Sequence, residues 1–186
     1  AKLEFAALED RVRARNPQLF VEDARIRSAE KSRELTYKNR YPDFSVGISP
    51  IQYQSAIKEW EVMFEFNIPL QQTSRRAQER ESEAMLSAAR SRKLATTHQV
   101  ISELAENLSG IEAARQTETL ITNSLLPQAE LTLRAALAGY ENGKVDFATL
   151  LDAQRQIRQA RQNQIKTQAE ARIRLAEIEK LLGEDL

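Results

Sequence analysis

Cysteine is absent from the 186 residues, so neither a disulfide framework nor a thiolate metal site is available. His98 is the single histidine. It falls in the middle of a helical pattern, with no serine, cysteine or aspartate arranged for it to activate, so no catalytic machinery can be assigned. The soft donors Met63 and Met85 lie far apart in the pattern, and no metal or other cofactor is expected. No run of about 18 apolar residues offers a membrane-spanning helix. No signal peptide is visible. Neither sign of charge dominates: 27 basic residues face 27 acidic ones, which leaves no footprint for nucleic acid and no polybasic membrane patch. Aromatics are only 6%, too few for a compact core of this length to lean on them.

What remains is rich in Ala, Gln, Glu and Arg, within an apolar content of 41%. That composition suits long helices with thin cores. Leu3, Ala6, Ala7, Leu8 and Val12 set among charges predict a short amphipathic helix over 1–14. Asn16-Pro17 breaks it: Asn16 suits a cap and Pro17 the first turn of a second helix over about 17–40. That helix is charge-rich, with Leu19, Ala24, Ile26, Ala29 and Leu35 as its modest apolar content.

At Tyr41-Pro42 the period changes from helical to two. Phe44, Val46 and Ile48 point one way, and Ser45, Gly47 and Ser49 the other. The alternation returns with Trp60, Val62, Phe64, Phe66, Ile68 and Leu70 against Glu61, Met63, Glu65 and Asn67. Two strands, 43–54 and 59–70, are predicted as an antiparallel hairpin. Their length is close to the ~9–11 residues of a tilted strand crossing a bilayer. One apolar face and one small or polar face fit lipid and lumen, with Tyr53 and Trp60 near the loop end, where an aromatic belt falls. The same alternation fits a soluble hairpin laid on helices, and the pattern by itself does not choose. Pro42 and Pro69 stand at the two feet, where the chain changes from helix to strand and back.

From Thr73 to about Ala138 only Gly110 and Pro127 interrupt a helical reading, with a kink expected at Pro127. Such a helix is about 100 Å long at about 1.5 Å per residue. Leu94, Ile101, Leu104, Leu108 and Ile111 form a heptad-like seam, which Arg115, Glu118 and Thr122 spoil further on. A last helix runs from about Val145 to Leu182, its inner candidates Phe147, Leu150, Leu151, Ile157, Ile165, Ile173, Leu175, Ile178 and Leu182. Arg155, Arg158 and Arg161 read as a solvated face, and Gly183 ends the helix. Between the two long helices Asn142-Gly143 suits a left-handed stop and Asp146 an N-cap, so a tight antiparallel turn is predicted at 140–146. The fold class is mainly α: long antiparallel coiled-coil helices with one β-hairpin. Neither thin helices nor two open-edged strands are self-sufficient, so partner copies are expected.

Taken together, the motifs resemble the TolC-like outer membrane efflux protein family. They are Asn16-Pro17, Tyr41-Pro42-Asp43 entering a strand, Ile68-Pro69-Leu70 leaving one, Arg75-Arg76 in a long helix and Leu126-Pro127. Tyr140-x-x-Gly143 with Leu150-Leu151-Asp152-Ala153-Gln154-Arg155 is the most specific run and is similar to the family's second, C-terminal repeat. The resemblance spans nearly the whole chain and amounts to one repeat where the family has two.

It implies a homotrimer in the full-length form, in the outer membrane of a Gram-negative bacterium, with the helices in the periplasm. Such a channel gives an exit duct for heavy-metal cations or drugs. An inner membrane transporter passes them through a periplasmic adaptor protein, and the channel performs no catalysis. Segment 1–42 would lead to the membrane end, 43–70 would join the outer membrane barrel, and 71–186 would form the periplasmic helical hairpin. Phe44, Val46, Ile48, Trp60, Val62, Phe64 and Phe66 would face lipid. Tyr140, Gly143 and Lys144 would form the tip turn that meets the adaptor. Asp152 is similar to the family's acidic ring at the pore constriction; without the resemblance it reads as a solvated helix residue. A reading from another class is a soluble coiled-coil scaffold or interaction protein without channel activity. The apolar hairpin face separates the two, uncovered in the first and laid on helices in the second.

Overall fold

The computed structural model describes residues 4–53, 56–68 and 72–185, the strand residues 52–53 and 56–59 by backbone only. In chain order the elements are α1 (Phe5–Arg15), α2 (Pro17–Lys38), β1 (Asp43–Tyr53), β2 (Ala56–Asn67) and α3 (Gln72–Leu120). A π-helical turn (Ile121–Leu125), α4 (Leu126–Glu141) and α5 (Phe147–Leu182) follow. The chain forms two compact units, Ala1–Leu19 with Thr96–Leu186 and Phe20–Ala95.

In the first unit the core is a cluster of Leu8, Val12, Val100, Leu104, Ile111, Ile178, Leu181 and Leu182, with Leu108 and Leu175 packed against it. Asn16 joins this core to the start of α2. Its Oδ1 accepts from the amides of Gln18 (2.9 Å) and Leu19 (3.2 Å), and its Nδ2 donates to the Leu181 carbonyl at 2.8 Å. Both ends of one buried amide are thus satisfied, which a buried polar group requires. Glu184, just past the end of α5, accepts from Arg11 and Arg15, and the Arg11 hydrogen bond is the main reason its carboxyl is held below the usual range.

The helix expected to pass Pro127 with a kink and end near 138 carries a π turn there. Pro127 has no N–H to give the carbonyl of Asn123 and its ring crowds that carbonyl. Widening the preceding turn accommodates this, and the Leu126 N–H reaches back five residues to the Ile121 carbonyl. The chain does not reverse there: α4 continues to Glu141, three residues beyond the predicted end.

In the second unit α2 and the first part of α3 lie antiparallel, joined by a ladder of polar contacts. Asp23 meets Lys93 (2.6 Å), Glu30 meets Arg90 (3.1 Å), Tyr37 meets Glu83 (2.6 Å), and Arg40 meets Glu79. As one partner's number rises the other falls, as antiparallel neighbours require. Leu86 is buried here, but Leu35, Met85 and Leu94 are exposed.

The strands pair antiparallel with Asp43 opposite Asn67, Phe44 opposite Phe66, Val46 opposite Phe64 and Ile48 opposite Val62, and the register shifts at Ile51/Gln52. The hairpin is as predicted, but β2 starts three residues earlier and ends at Asn67, leaving Ile68 beyond the strand. Leu3, Pro69 and Leu70, and the side chain of Tyr53, lie outside the described residues.

Several expected core positions are corrected. Leu94 of the seam is 59% exposed, and Phe147, Leu151, Ile165 and Ile173 of α5 lie on open surface. The buried stripe of α5 is Ala153, Ile178, Leu181 and Leu182. A helix with few neighbours covers only a narrow stripe, and apolar residues off that stripe stay bare.

Candidate functional site

Three features carry the candidate sites: the hairpin face, the α4–α5 turn and the first turns of α5. On the hairpin, Phe44 and Phe66, Val46 and Phe64, and Ile48 and Val62 are directly opposed pairs on one face, and Trp60 lies opposite Pro50 beside them. Such pairs are the unit of sheet stabilisation. Among the described residues nothing covers them: Phe44 is 75% exposed, Phe66 70% and Trp60 65%. On the other face Ser45 opposes Glu65, Gly47 opposes Met63, and Ser49 opposes Glu61. Seven large apolar side chains in one exposed file exceed the scattered surface residues of a water-soluble domain.

The α4–α5 turn is a Schellman stop. Gly143 has φ of 67° and its N–H donates to the Tyr140 carbonyl at 3.0 Å, while the Lys144 N–H donates to the Gly139 carbonyl at 2.8 Å. Asn142 adds its side-chain amide to the Ala138 carbonyl at 2.6 Å. Gly139 is small because Val145 lies over it; an added Cβ would sit 3.1 Å from a Val145 methyl. Asp146 then caps α5, accepting from the Thr149 N–H (2.9 Å) and hydroxyl (2.6 Å). These bonds, the hydroxyl's first, hold its carboxyl below the usual range. The Tyr140 ring meets Phe147 edge-on at 6.1 Å between centroids, closing the turn from the side. Tyr140, Gly143 and Lys144 are thus brought together at one exposed end of the helical pair. Ala129 and Ala136 on α4 and Ala153 on α5 are the buried positions here, so small side chains set the packing of the pair.

Asp152 is two turns into α5, exposed, with Arg155 at 3.1 Å as its one ion-pair partner among the described residues. Arg155, Arg158 and Arg161 are exposed as expected, Arg161 at 3.9 Å from Glu130. Among the described residues no group of three or more His, Cys, Asp or Glu side chains could hold a metal ion, and no helix is long and apolar enough to cross a membrane. Two features had only faint sequence signals. Pro127 marked a break but not the π turn, and Arg75-Arg76 marked a motif but not the cluster described below.

Comparison with known proteins adds the family. No curated protein sequence matches the chain. Solved structures do. A membrane protein from Pseudomonas aeruginosa aligns with a TM-score of 0.84 at 20% identity, over 95% of this chain and 42% of its own. The outer membrane protein VceC from Vibrio cholerae aligns at 0.75 and 17% identity, over 97% of this chain and 47% of its own. The Campylobacter jejuni CmeC outer membrane channel aligns at 0.73 and 15% identity, over 98% of this chain and 41% of its own. At these identities the likeness is one of fold, and the chain spans less than half the length of the structures it matches. The family model for outer membrane efflux proteins matches residues 8–184, and the chain belongs to that family.

Proposed function

We propose that this chain is one repeat of an outer membrane efflux channel. In the full-length protein the hairpin joins those of other repeats and copies to close a barrel, because a two-stranded sheet with open edges is not tolerated in lipid. Segment 43–70 is the membrane part, 1–42 leads to it, and the helices of 71–186 stand in the periplasm as the wall of a water-filled duct. The assembly is a homotrimer. The Tyr140–Lys144 turn meets a periplasmic adaptor, which links the channel to an inner membrane transporter, and Asp152 faces the axis at the narrow end. The channel performs no chemistry; heavy-metal cations or drugs are its cargo.

The observation that carries this reading is the bare apolar face of the hairpin, seven side chains in register with no helix over them among the described residues. A soluble scaffold would cover that face. The test is made on the full-length protein. It should fractionate with outer membranes and open discrete conductances in planar bilayers. Recovery in the soluble periplasm, without conductance, would defeat the reading.

A further inference from the structure

The foot of the hairpin carries a cluster of arginines whose charge the described carboxylates neutralise only in part. Asp43 and Asn67 are the first paired residues, and the apolar face begins one position on, with Phe44 and Phe66. Just before them the chain leaves α2 through Asn39, Arg40 and Tyr41. The first turns of α3 lie against this exit: the Arg75 guanidinium donates to the Asn39 carbonyl, and Arg40 grips both oxygens of Glu79, Nη2 to Oε2 at 2.6 Å. Around these groups a hollow of about 310 Å³ is lined by Arg40, Gln72, Arg75, Arg76 and Glu79. It adjoins a second, lined among others by Tyr37, Arg80 and Glu83.

Both carboxylates of the cluster are engaged. Glu79 is held by Arg40, and Glu83 accepts the Tyr37 hydroxyl at 2.6 Å. Among the described residues Arg80 donates only to the Arg76 carbonyl, at 3.3 Å. Among the described residues no carboxylate lies within ion-pair distance of Arg75, Arg76 or Arg80. Four guanidinium groups against two carboxylates leave the hollows net positive. The excess sits beside an apolar face that nothing covers among the described residues. An anion held at the edge of a hydrocarbon layer satisfies both. Headgroups occupy such a layer, about 5–7 Å deep on each side of the apolar core. The guanidinium fork matches phosphate oxygens in geometry as well as charge. Tyr41, 72% exposed between the cluster and β1, is the amphipathic ring that favours this depth.

We propose that Arg75, Arg76 and Arg80 form a phosphodiester site for the headgroup of an anionic phospholipid in the leaflet on the helical side of the membrane. The proposal rests on the hairpin's standing in the bilayer. An anionic lipid fits better than a zwitterionic one, whose own cation would meet the same uncompensated charge.

The test uses the full-length protein in phosphatidylcholine nanodiscs with phosphatidylglycerol titrated in. The lipid that stays with the protein is read by native mass spectrometry. Wild type should retain phosphatidylglycerol over phosphatidylcholine. Arg75→Gln with Arg76→Gln should weaken that retention about 30-fold, about fivefold for each surface arginine removed. Arg92→Gln, further along α3, should leave it unchanged. Arg76→Gln alone serves if the double variant fails to assemble, with a loss of about fivefold. Equal retention in variant and wild type overturns the site. If inorganic phosphate displaces phosphatidylglycerol at millimolar concentration, the lipid assignment is overturned. Failure of wild type to enter nanodiscs at all refutes the channel reading instead, so the two failures are distinguishable.

Discussion

Replacing Asn16 tests whether one buried amide joins α1, α2 and α5. Asn16 is 2% exposed. Its Oδ1 satisfies the Gln18 and Leu19 amides, two of the four donors a helix start leaves open, and its Nδ2 satisfies the Leu181 carbonyl. Asn16→Ala removes the cap, about 1 kcal/mol. It also strands the Leu181 carbonyl in a site water cannot reach, about 1–3 kcal/mol. A total of about 3 kcal/mol is expected, or a fall in Tm of about 6–12 °C for a chain of this size. Asn16→Ser separates the two contributions. Serine keeps the cap but is too short to reach Leu181, so about half the loss should remain. Thermal unfolding by far-ultraviolet circular dichroism gives the totals, and hydrogen exchange at the Leu19 amide reports the cap alone: protection lost in Ala and kept in Ser. A loss below about 1 kcal/mol in Asn16→Ala would refute the reasoning, since the amide would then have a ready substitute. Equal losses in Ala and Ser would show that the cap contributes nothing.

Four further outcomes are expected. Gly143→Ala places a Cβ at φ 67° in open space, so it costs backbone strain alone, about 1–2 kcal/mol, and Gly143→Asn less; denaturant midpoints that are unchanged would deny the left-handed stop. Pro127→Ala returns an N–H opposite the Asn123 carbonyl, and a crystal structure of the variant should show regular α-helix through 121–127; a persistent π turn would assign it to the packing of Ile121. Glu184, whose folded pKa lies below the reference 4.5, adds stability that is present above that value and lost as pH falls through the folded pKa. Glu184→Gln should therefore flatten the acid limb of the stability profile and leave the alkaline limb alone. Asp152→Ala in the full-length protein should weaken divalent-cation block in planar bilayers and alter ion selectivity, with a stability change of about 0.5 kcal/mol or less, since the residue is exposed; unchanged block would remove it from the aperture.

Features whose cause is local were legible in the sequence. The period of two at 44–48 and 60–66 needs only strand geometry, and it returned the hairpin with its apolar file intact. Asn16 and Asp146 as caps, Gly143 as a left-handed stop, Gly183 as a helix end, and the break at Pro127 each follow from the backbone preference of one residue and its immediate neighbours. Most of the family motifs mark such joints, so they could be read from one sequence.

Which stripe of each helix is covered was decided only in the folded chain. Leu94, Ile165 and Ile173 are as apolar as Leu104 and Ile178, yet the first three are bare and the last two fully buried. A helix repeats its pattern around its whole circumference, and burial depends on where the neighbouring helix lies. The ladder from Asp23–Lys93 to Arg40–Glu79 was hidden for a related reason: partners 39 to 70 residues apart meet only once two helices run antiparallel in one register. The arginine cluster at the hairpin foot belongs to this second class. Its charges are ordinary in the sequence, and only the tertiary pairing of Glu79 with Arg40 and of Glu83 with Tyr37 leaves the other three without a carboxylate partner among the described residues.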